Sequence, residues 1–565
     1  MKLYRLFVVL ACVCSSGLIQ AQQQDELMPI LEKELKRELE GLSKAPISPY
    51  FIEYRVEDLD YISIQSSFGS LIRSDANRSR TLVTRVKVGD YQVDNTHPVK
   101  QGGMYMPDRG FNAPHPLPLE NEPLAIEFAI WNATQDGYRE ALSAYKRVKS
   151  SSSESQNSTS TAPDFSKEQP SVFFEAPLSS AENLIDKTKW ESVLKKYSSL
   201  FLKNPDIILG EANFNFNIQR QHLISNEGTR VAQNFTYAYI NISGSIRAED
   251  GDIVPLHLSY FAFQPSELPS EEVITKDINE MITKLEKLKK APLAEPYTGP
   301  AILQSQAAGV FFHEIFGHRV EGHRLKSEMD GQTFKAKVNE VVLPKTMNII
   351  FDPTLTHYKQ QPLNGFFKYD DEGVKSRRVN VVEKGVLKTF LMSRSPLEEI
   401  KNSNGHGRAS SEAEVVSRQS NLIVETDKAV QINDLRKMLV KECQKQGKKY
   451  GYFFKDVVGG FTFTNRFTPN AFNIFPTEVY RVYVDGRPDE LVRGVDLIGT
   501  PLAMFAEIQA AGNDPGIFTG FCGAESGSVP VSAVSPSLFV RRIETQKKVK
   551  MNEESTLLSR PSGDQ

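Results

Sequence analysis

The sequence predicts an α+β fold. An N-terminal mixed helix and antiparallel-sheet domain precedes a strand-rich C-terminal domain that carries a histidine-bearing helix. Three observations predict it. In the first half, charged segments with helical apolar spacing alternate with long runs of period-two alternation. Pro292, Pro296 and Pro300 then cluster at a boundary. Beyond that boundary, short apolar runs separated by turn residues dominate. At 565 residues the chain is also too long for one ordinary domain.

Each element follows in order. Residues 1–21 read as a signal peptide. Lys2 and Arg5 supply positive charge, an apolar run extends from Leu6 past Cys14, and Ala21 offers a cleavage point before a run of glutamines. The run is too short for a stable membrane span. Export to the periplasm or beyond a bacterial cell is the expectation. Val9-Leu10-Ala11-Cys12 faintly resembles a lipoprotein cleavage box, but the apolar run before Cys12 is very short, so lipid attachment is not favoured. The N-terminal domain spans residues 22–295. Its helices are predicted at 25–42, 124–147, 180–203 and 271–290, and its strands within 50–93 and 212–263. Residues 150–170 are rich in Ser, Thr, Asn and Gln and read as a flexible polar surface loop. The C-terminal domain spans residues 296–546. It opens with a short strand and the histidine helix. A hairpin is predicted from 376 to 392 around Glu383-Lys384-Gly385, and another pair of strands flanks Asp485-Gly486. Residues 431–445 form a helix with Leu435, Leu439 and Cys443 on one stripe, and 502–511 a further helix. Residues 547–565 read as a disordered polar tail.

Composition excludes some functions. The chain is 40% hydrophobic and 24% charged, as soluble globular proteins are. Its formal net charge of −3 offers no basic field, so nucleic acid is not an expected partner. With the signal removed, Cys443 and Cys522 remain of the four cysteines, too few for a disulfide scaffold. One bridge between them stays open.

The chemistry concentrates in one segment. Nine histidines occur in the chain, and three of them are His313, His318 and His323. The local run is Phe311-Phe312-His313-Glu314-Ile315-Phe316-Gly317-His318. Neutral imidazole is a good zinc ligand, and an adjacent glutamate can take a proton from metal-bound water. The familiar motif spaces its histidines four apart, whereas here the spacing is five. On an ideal helix four steps leave a residue about 40° from the first, while five leave it about 140° away. Both rings can meet one ion only if the helix is distorted, so a π-bulge or a break is predicted near Gly317. A third ligand must come from elsewhere. Cys522, flanked by Gly520 and Gly523 in a predicted loop, is one candidate. His323 is a rival ligand, and His406 a weaker one. Cys443 is better explained as core packing. His97, His115, His222, His257 and His357 are scattered and read as structural or surface residues.

These segments resemble the TldD/PmbA family of metallopeptidases. The resemblance runs through Gly299-Pro300-Ala301-Ile302-Leu303, Ala307-Ala308, the His-Glu-x-x-x-His motif and Val320-Glu321-Gly322. It continues through the hairpin at 376–391, residues 418–422, Gly459-Gly460, and Cys522-Gly523 followed by Val529-Pro530-Val531. The N-terminal half matches loosely. The resemblance implies zinc held by His313, His318 and Cys522, with Glu314 catalytic. It implies a zinc-dependent peptidase that hydrolyses short or unfolded peptides by Glu-assisted attack of zinc-bound water. It also implies a homodimer, or a heterodimer with a related subunit, enclosing a chamber. His406 and Arg408 are candidates for contacting substrate or the oxyanion. The chain departs from the family pattern at His323, Ala524 and Gly527, and an exported member is unusual. The competing reading is a non-catalytic, zinc-stabilised binding or assembly subunit. It requires a fourth protein ligand, for which His323 is the candidate.

Overall fold

The computed structural model describes residues 25–101, 104–106, 114–154, 161–411, 413–468, 471–548 and 561. The fold is mixed α and β, with a strand-rich C-terminal part. The predicted signal peptide lies outside the described residues. So does the tail, apart from Lys547, Lys548 and Arg560's neighbour Pro561.

The first half is built on one large, mainly antiparallel sheet clad in helices. Helix α1 (Leu27–Leu42) leads into the long strands β1 (Pro49–Ser67) and β2 (Ser70–Val88). Helices α2 (Pro123–Glu154) and α3 (Lys187–Ser199) precede β3 (Ile207–Ser225), β4 (Arg230–Arg247) and β5 (Ile253–Ala262). The strand order is β2-β1-β3-β4-β5. The period-two reading holds residue by residue in β3. Ala212, Phe214, Phe216 and Ile218 are buried, while Asn213, Asn215 and Asn217 between them are half-buried. Helix α4 (Glu271–Lys290) turns Ile274, Ile278, Met281, Leu285 and Leu288 inward at alternating spacings of four and three. Its acids sit in the first turn and its lysines in the last, matching the helix dipole.

The second half contains two further large sheets with the histidine helix between them. Strand β6 (Tyr297–Leu303) leads into α5 (Ser305–Ile315). Then come β7 (Met347–Phe351), β8 (Val379–Glu383), β9 (Asn421–Thr426), α6 (Ile432–Lys445), β10 (Tyr450–Thr462) and β11 (Phe472–Tyr483). Strands β12 (Val495–Gly499), β13 (Ile508–Gly512), β14 (Gly516–Ala524), β15 (Gly527–Ser535) and β16 (Leu538–Lys547) complete the chain. One sheet runs β6-β10-β11-β12-β16 and closes on itself through a β6–β16 pairing. The other runs β8-β7-β9-β15-β14, with β14 at its edge. Helix α5 packs on β10 from the first sheet and on β14 and β15 from the second. Its apolar residues Ala307, Ala308, Val310, Phe311, Phe312 and Ile315 enter the main core.

Three expectations are corrected. Residues 150–170 are not one flexible loop. Helix α2 continues to Glu154, residues 155–160 lie outside the described residues, and from residue 161 the chain is anchored. Phe165 is buried under the Arg394 guanidinium, 3.9 Å from its ring centre, and Asp164 bonds His97 at 2.9 Å. One aromatic and one carboxylate in a polar stretch supply that anchor. The predicted helix at 502–511 ends at Ala506, and Ile508 begins β13, because its backbone pairs with β16. Cys522 lies in strand β14 rather than a loop, paired across to Val529.

Candidate metal centre

The site is built where α5 ends. The helix stops at Ile315, Phe316 takes φ −122° and ψ −52°, and Gly317–Arg319 continue as a 3-10 turn. The break predicted near Gly317 is therefore present, and it swings His318 back toward His313. The ring centres lie 5.0 Å apart with the planes at 81°. Gly317 is needed for space: a Cβ there would fall 1.8 Å from the side-chain oxygen of Gln419.

Strand β14 brings in Cys522. One donor atom each from His313, His318 and Cys522 lies within 4.8 Å of the other two. Cys522 Sγ is 3.3 Å from His318 Nε2. Tetrahedral zinc, with bonds of about 2.0–2.1 Å to nitrogen and about 2.3 Å to sulfur, spaces such donors about 3.4–3.6 Å apart. The Cys522–His318 pair is close to that spacing, the third donor lies within 4.8 Å, and two imidazoles with a thiolate are a donor set that suits the ion.

The electrostatics favour an ionised sulfur. Burial pushes the Cys522 thiol up, but attraction to His318 and His313 outweighs it and holds the group well below its ordinary range. Burial pulls His318 down, but Cys522 and Glu321 win and raise it to about 10. Both shifts favour a thiolate beside a protonated imidazole, and a divalent cation can take the place of that proton. Glu314 reaches within 4.0 Å of His318 Nε2. Burial raises its carboxyl above the usual range, against the pull of His313 and His318. Gly460 of β10 leaves room for it, since a Cβ there would lie 3.0 Å from Glu314 Cγ.

The other candidates fall elsewhere. His323 is not among the converging donors. Its Nε2 pairs with the Glu525 carboxylate, which also accepts from Arg324 at 3.0 Å. Acidic Glu525, on the turn between β14 and β15, draws the imidazole away from the centre. His406 is fully buried, and its ring nitrogens face Ser420 Oγ at 3.1 Å and the Asn404 carbonyl at 3.3 Å. Burial pushes it down to about 3, which favours a neutral imidazole packed in the core. Arg408 borders a cleft of about 220 Å³ beside β14. Its Nη1 is engaged by the carbonyls of Gln419 and Pro530, each at 2.7 Å, so it ties chain segments together. Cys443 and Cys522 are both free thiols, which removes the disulfide alternative. Gly527 adopts φ +80° opposite Ala524 in the hairpin turn, which accounts for glycine at that departure.

Three charged or polar residues went unassigned in the sequence. Glu321 is fully buried, and its Oε2 lies 3.3 Å from His318 Nδ1 while accepting from Arg324 at 2.8 Å. Burial pushes Glu321 up, but His318 and Arg324 hold it down at about 2. Arg418 and Gln419 are also fully buried beside the centre. Their only sequence signal was membership in segments that resembled the family.

Residues 296–547, which contain all of these side chains, match the family model described as the PmbA/TldA metallopeptidase C-terminal domain. The residues that carry the candidate site thus form a C-terminal domain of the TldD/PmbA family. Within that family, a metalloprotease of Archaeoglobus fulgidus is 32% identical over 266 residues, covering 47% of this chain and 56% of that protein. A zinc metalloprotease TldD homolog of Saccharolobus solfataricus is 27% identical over 275 residues, covering 47% of this chain and 57% of that protein. The match thus spans about half the length of these curated relatives. The crystal structure of TldE from Thermococcus kodakarensis superposes with a TM-score of 0.59 at 11% identity, covering 91% of this chain and 100% of that one. That likeness concerns the TldD/PmbA fold alone.

Proposed function

We propose that this TldD/PmbA chain is an exported zinc-dependent peptidase that cleaves short or unfolded peptides. His313, His318 and Cys522 hold the metal, and Glu314 is the general base. One observation carries the reading: three soft and borderline donors from positions 313, 318 and 522 converge within 4.8 Å beside a buried glutamate. When bound, zinc acidifies a coordinated water and polarises the substrate carbonyl. The protein's own residues do the rest. Two neutral imidazoles and one thiolate form the open-sided set of three typical of catalytic centres. Glu321 accepts a hydrogen bond from His318 Nδ1–H, which leaves Nε2 free to coordinate. Glu314 takes a proton from the attacking water and hands it to the leaving amine. Its raised carboxyl suits that shuttle, because acid–base exchange works best near the working pH.

The structural-zinc alternative needs a fourth protein ligand. The pairing of His323 with Glu525 speaks against that residue filling the position. The charged leader and apolar run ending near Ala21 support export, and N-terminal sequencing of the mature protein tests it. Assembly as a homodimer, or as a heterodimer with a related subunit, belongs to the same proposal. Light scattering of the purified chain with and without such a subunit tests it. The activity itself is tested by metal analysis joined to digestion of a peptide library. Zinc at one per chain and cleavage abolished by chelator, then restored by zinc, is expected. Cleavage that survives removal of the metal would overturn the proposal.

A further inference from the structure

We infer that Arg418 and Gln419, neighbours that donate to no metal, form one clamp that sets the spacing of all three proposed donors. The inference rests on the zinc reading above. Both side chains lie fully buried between the short strand Val416–Ser417 and β9. Arg418 reaches two ligand segments at once. Its Nη2 donates to the Cys522 carbonyl at 2.5 Å, and its Nη1 donates to Ser526 Oγ at 2.7 Å and to the Gly527 carbonyl at 3.0 Å. Its Nε lies 3.4 Å from Glu321 Oε1, and the other oxygen of that carboxylate faces His318 Nδ1. One rigid guanidinium thus holds the backbone of the cysteine by hydrogen bonds and attracts, as an ion pair without a hydrogen bond, the carboxylate behind the second histidine.

Gln419 completes the set. Its Nε2 donates to the His313 carbonyl at 3.4 Å. Its Oε1 fills the space a side chain at position 317 would need, just where α5 breaks. Two consecutive residues therefore touch His313, the turn before His318, the carboxylate behind His318, and Cys522. A buried guanidinium is costly to desolvate. A neutral amide offers two donors on one nitrogen, whereas the guanidinium offers five in a fixed fork and here faces four oxygens: the Cys522 and Gly527 carbonyls, Ser526 Oγ and Glu321 Oε1. Arg418 and Gln419 are positioning residues, since each acts through a proposed ligand.

The test uses the full-length protein with Arg418→Lys and Gln419→Met. Three quantities are read: zinc affinity by chelator competition, the absorption bands of the cobalt-substituted protein, and the melting of the metal-free form. Wild type must take up zinc with a thiolate-to-cobalt band. Failure there overturns the metal reading itself. With that control met, Arg418→Lys should weaken zinc binding by about tenfold to a hundredfold. The cobalt bands should shift, because the donors lose their registration. Gln419→Met should weaken binding by about tenfold, at the low end of that range. Wild-type affinity and bands in both variants, with or without a lowered melting point, would overturn the clamp. If Arg418→Lys does not fold, Gln419→Met decides on the same criteria.

Discussion

At the residue scale, two buried cysteines are held in opposite states. Cys443 sits on the inner stripe of α6 with Leu435 and Leu439, and burial raises its thiol to about 11. Cys522 is equally buried, yet two imidazoles hold it far below its ordinary range. The difference predicts a split between their alanine variants. Cys522→Ala should lower zinc affinity by at least about a hundredfold, since a thiolate ligand is lost. Cys443→Ala should keep full zinc and lose about 1 kcal/mol of stability from the small cavity it leaves. Metal content and denaturant melts on both variants check this. Glu314→Gln should retain zinc but lose cleavage by about 10² to 10⁴ fold, the usual worth of a positioned acid–base group. Undiminished peptide hydrolysis by that variant would remove Glu314 from the mechanism.

At the element scale, the end of α5 matters most. A five-residue histidine spacing is incompatible with a continuous helix, and the chain resolves it by breaking at Phe316 and re-entering as a 3-10 turn. Gly317→Ala should therefore drive a methyl group into Gln419. The expected cost is about 1–3 kcal/mol of overpacking, together with weaker zinc binding. Wild-type melting and affinity in that variant would show that the close approach is unimportant. This break was legible in the sequence because helical geometry forces it. The helix stripe of α6 and the alternation of β3 were legible for the same reason, as local periods. Cys522 was legible as a donor but not as part of a strand, because glycines at 520 and 523 read as loop. On an edge strand paired only to β15 they are tolerated. Glu321, Arg418 and Gln419 left no periodic trace. A buried charged residue differs from an exposed one only in its surroundings, and those are assembled from segments about a hundred residues apart.

At the scale of the whole molecule, charged residues stitch the N-terminal sheet to the C-terminal half. Arg394 pairs with Glu227 at 2.7 Å, and Arg85 lies 3.0 Å from Glu372 and 3.4 Å from Glu53. Burial raises Glu53 to about 7, against the pull of Arg85. An exposed glutamate titrates near 4.3 in the unfolded chain. The folded form thus holds this proton more tightly than the unfolded form does. The resulting stability is present in full below about pH 4 and is lost as pH rises through about 7. Glu53→Gln should remove on the order of 2 kcal/mol of this pH-dependent loss. Denaturant melts at pH 5 and pH 8 check it: the wild type should lose more stability between them than the variant. Equal losses would mean that Glu53 is ionised in the fold throughout.

The account as a whole depends on one ion joining α5 to β14. Zinc-edge X-ray absorption of the purified protein measures that directly. The expected shell is one sulfur at about 2.3 Å with two imidazole nitrogens and one further light atom at about 2.0–2.1 Å. The sulfur should vanish in Cys522→Ala and persist in Cys443→Ala. A shell without sulfur in the wild type, or one closed by a fourth protein ligand, would contradict it.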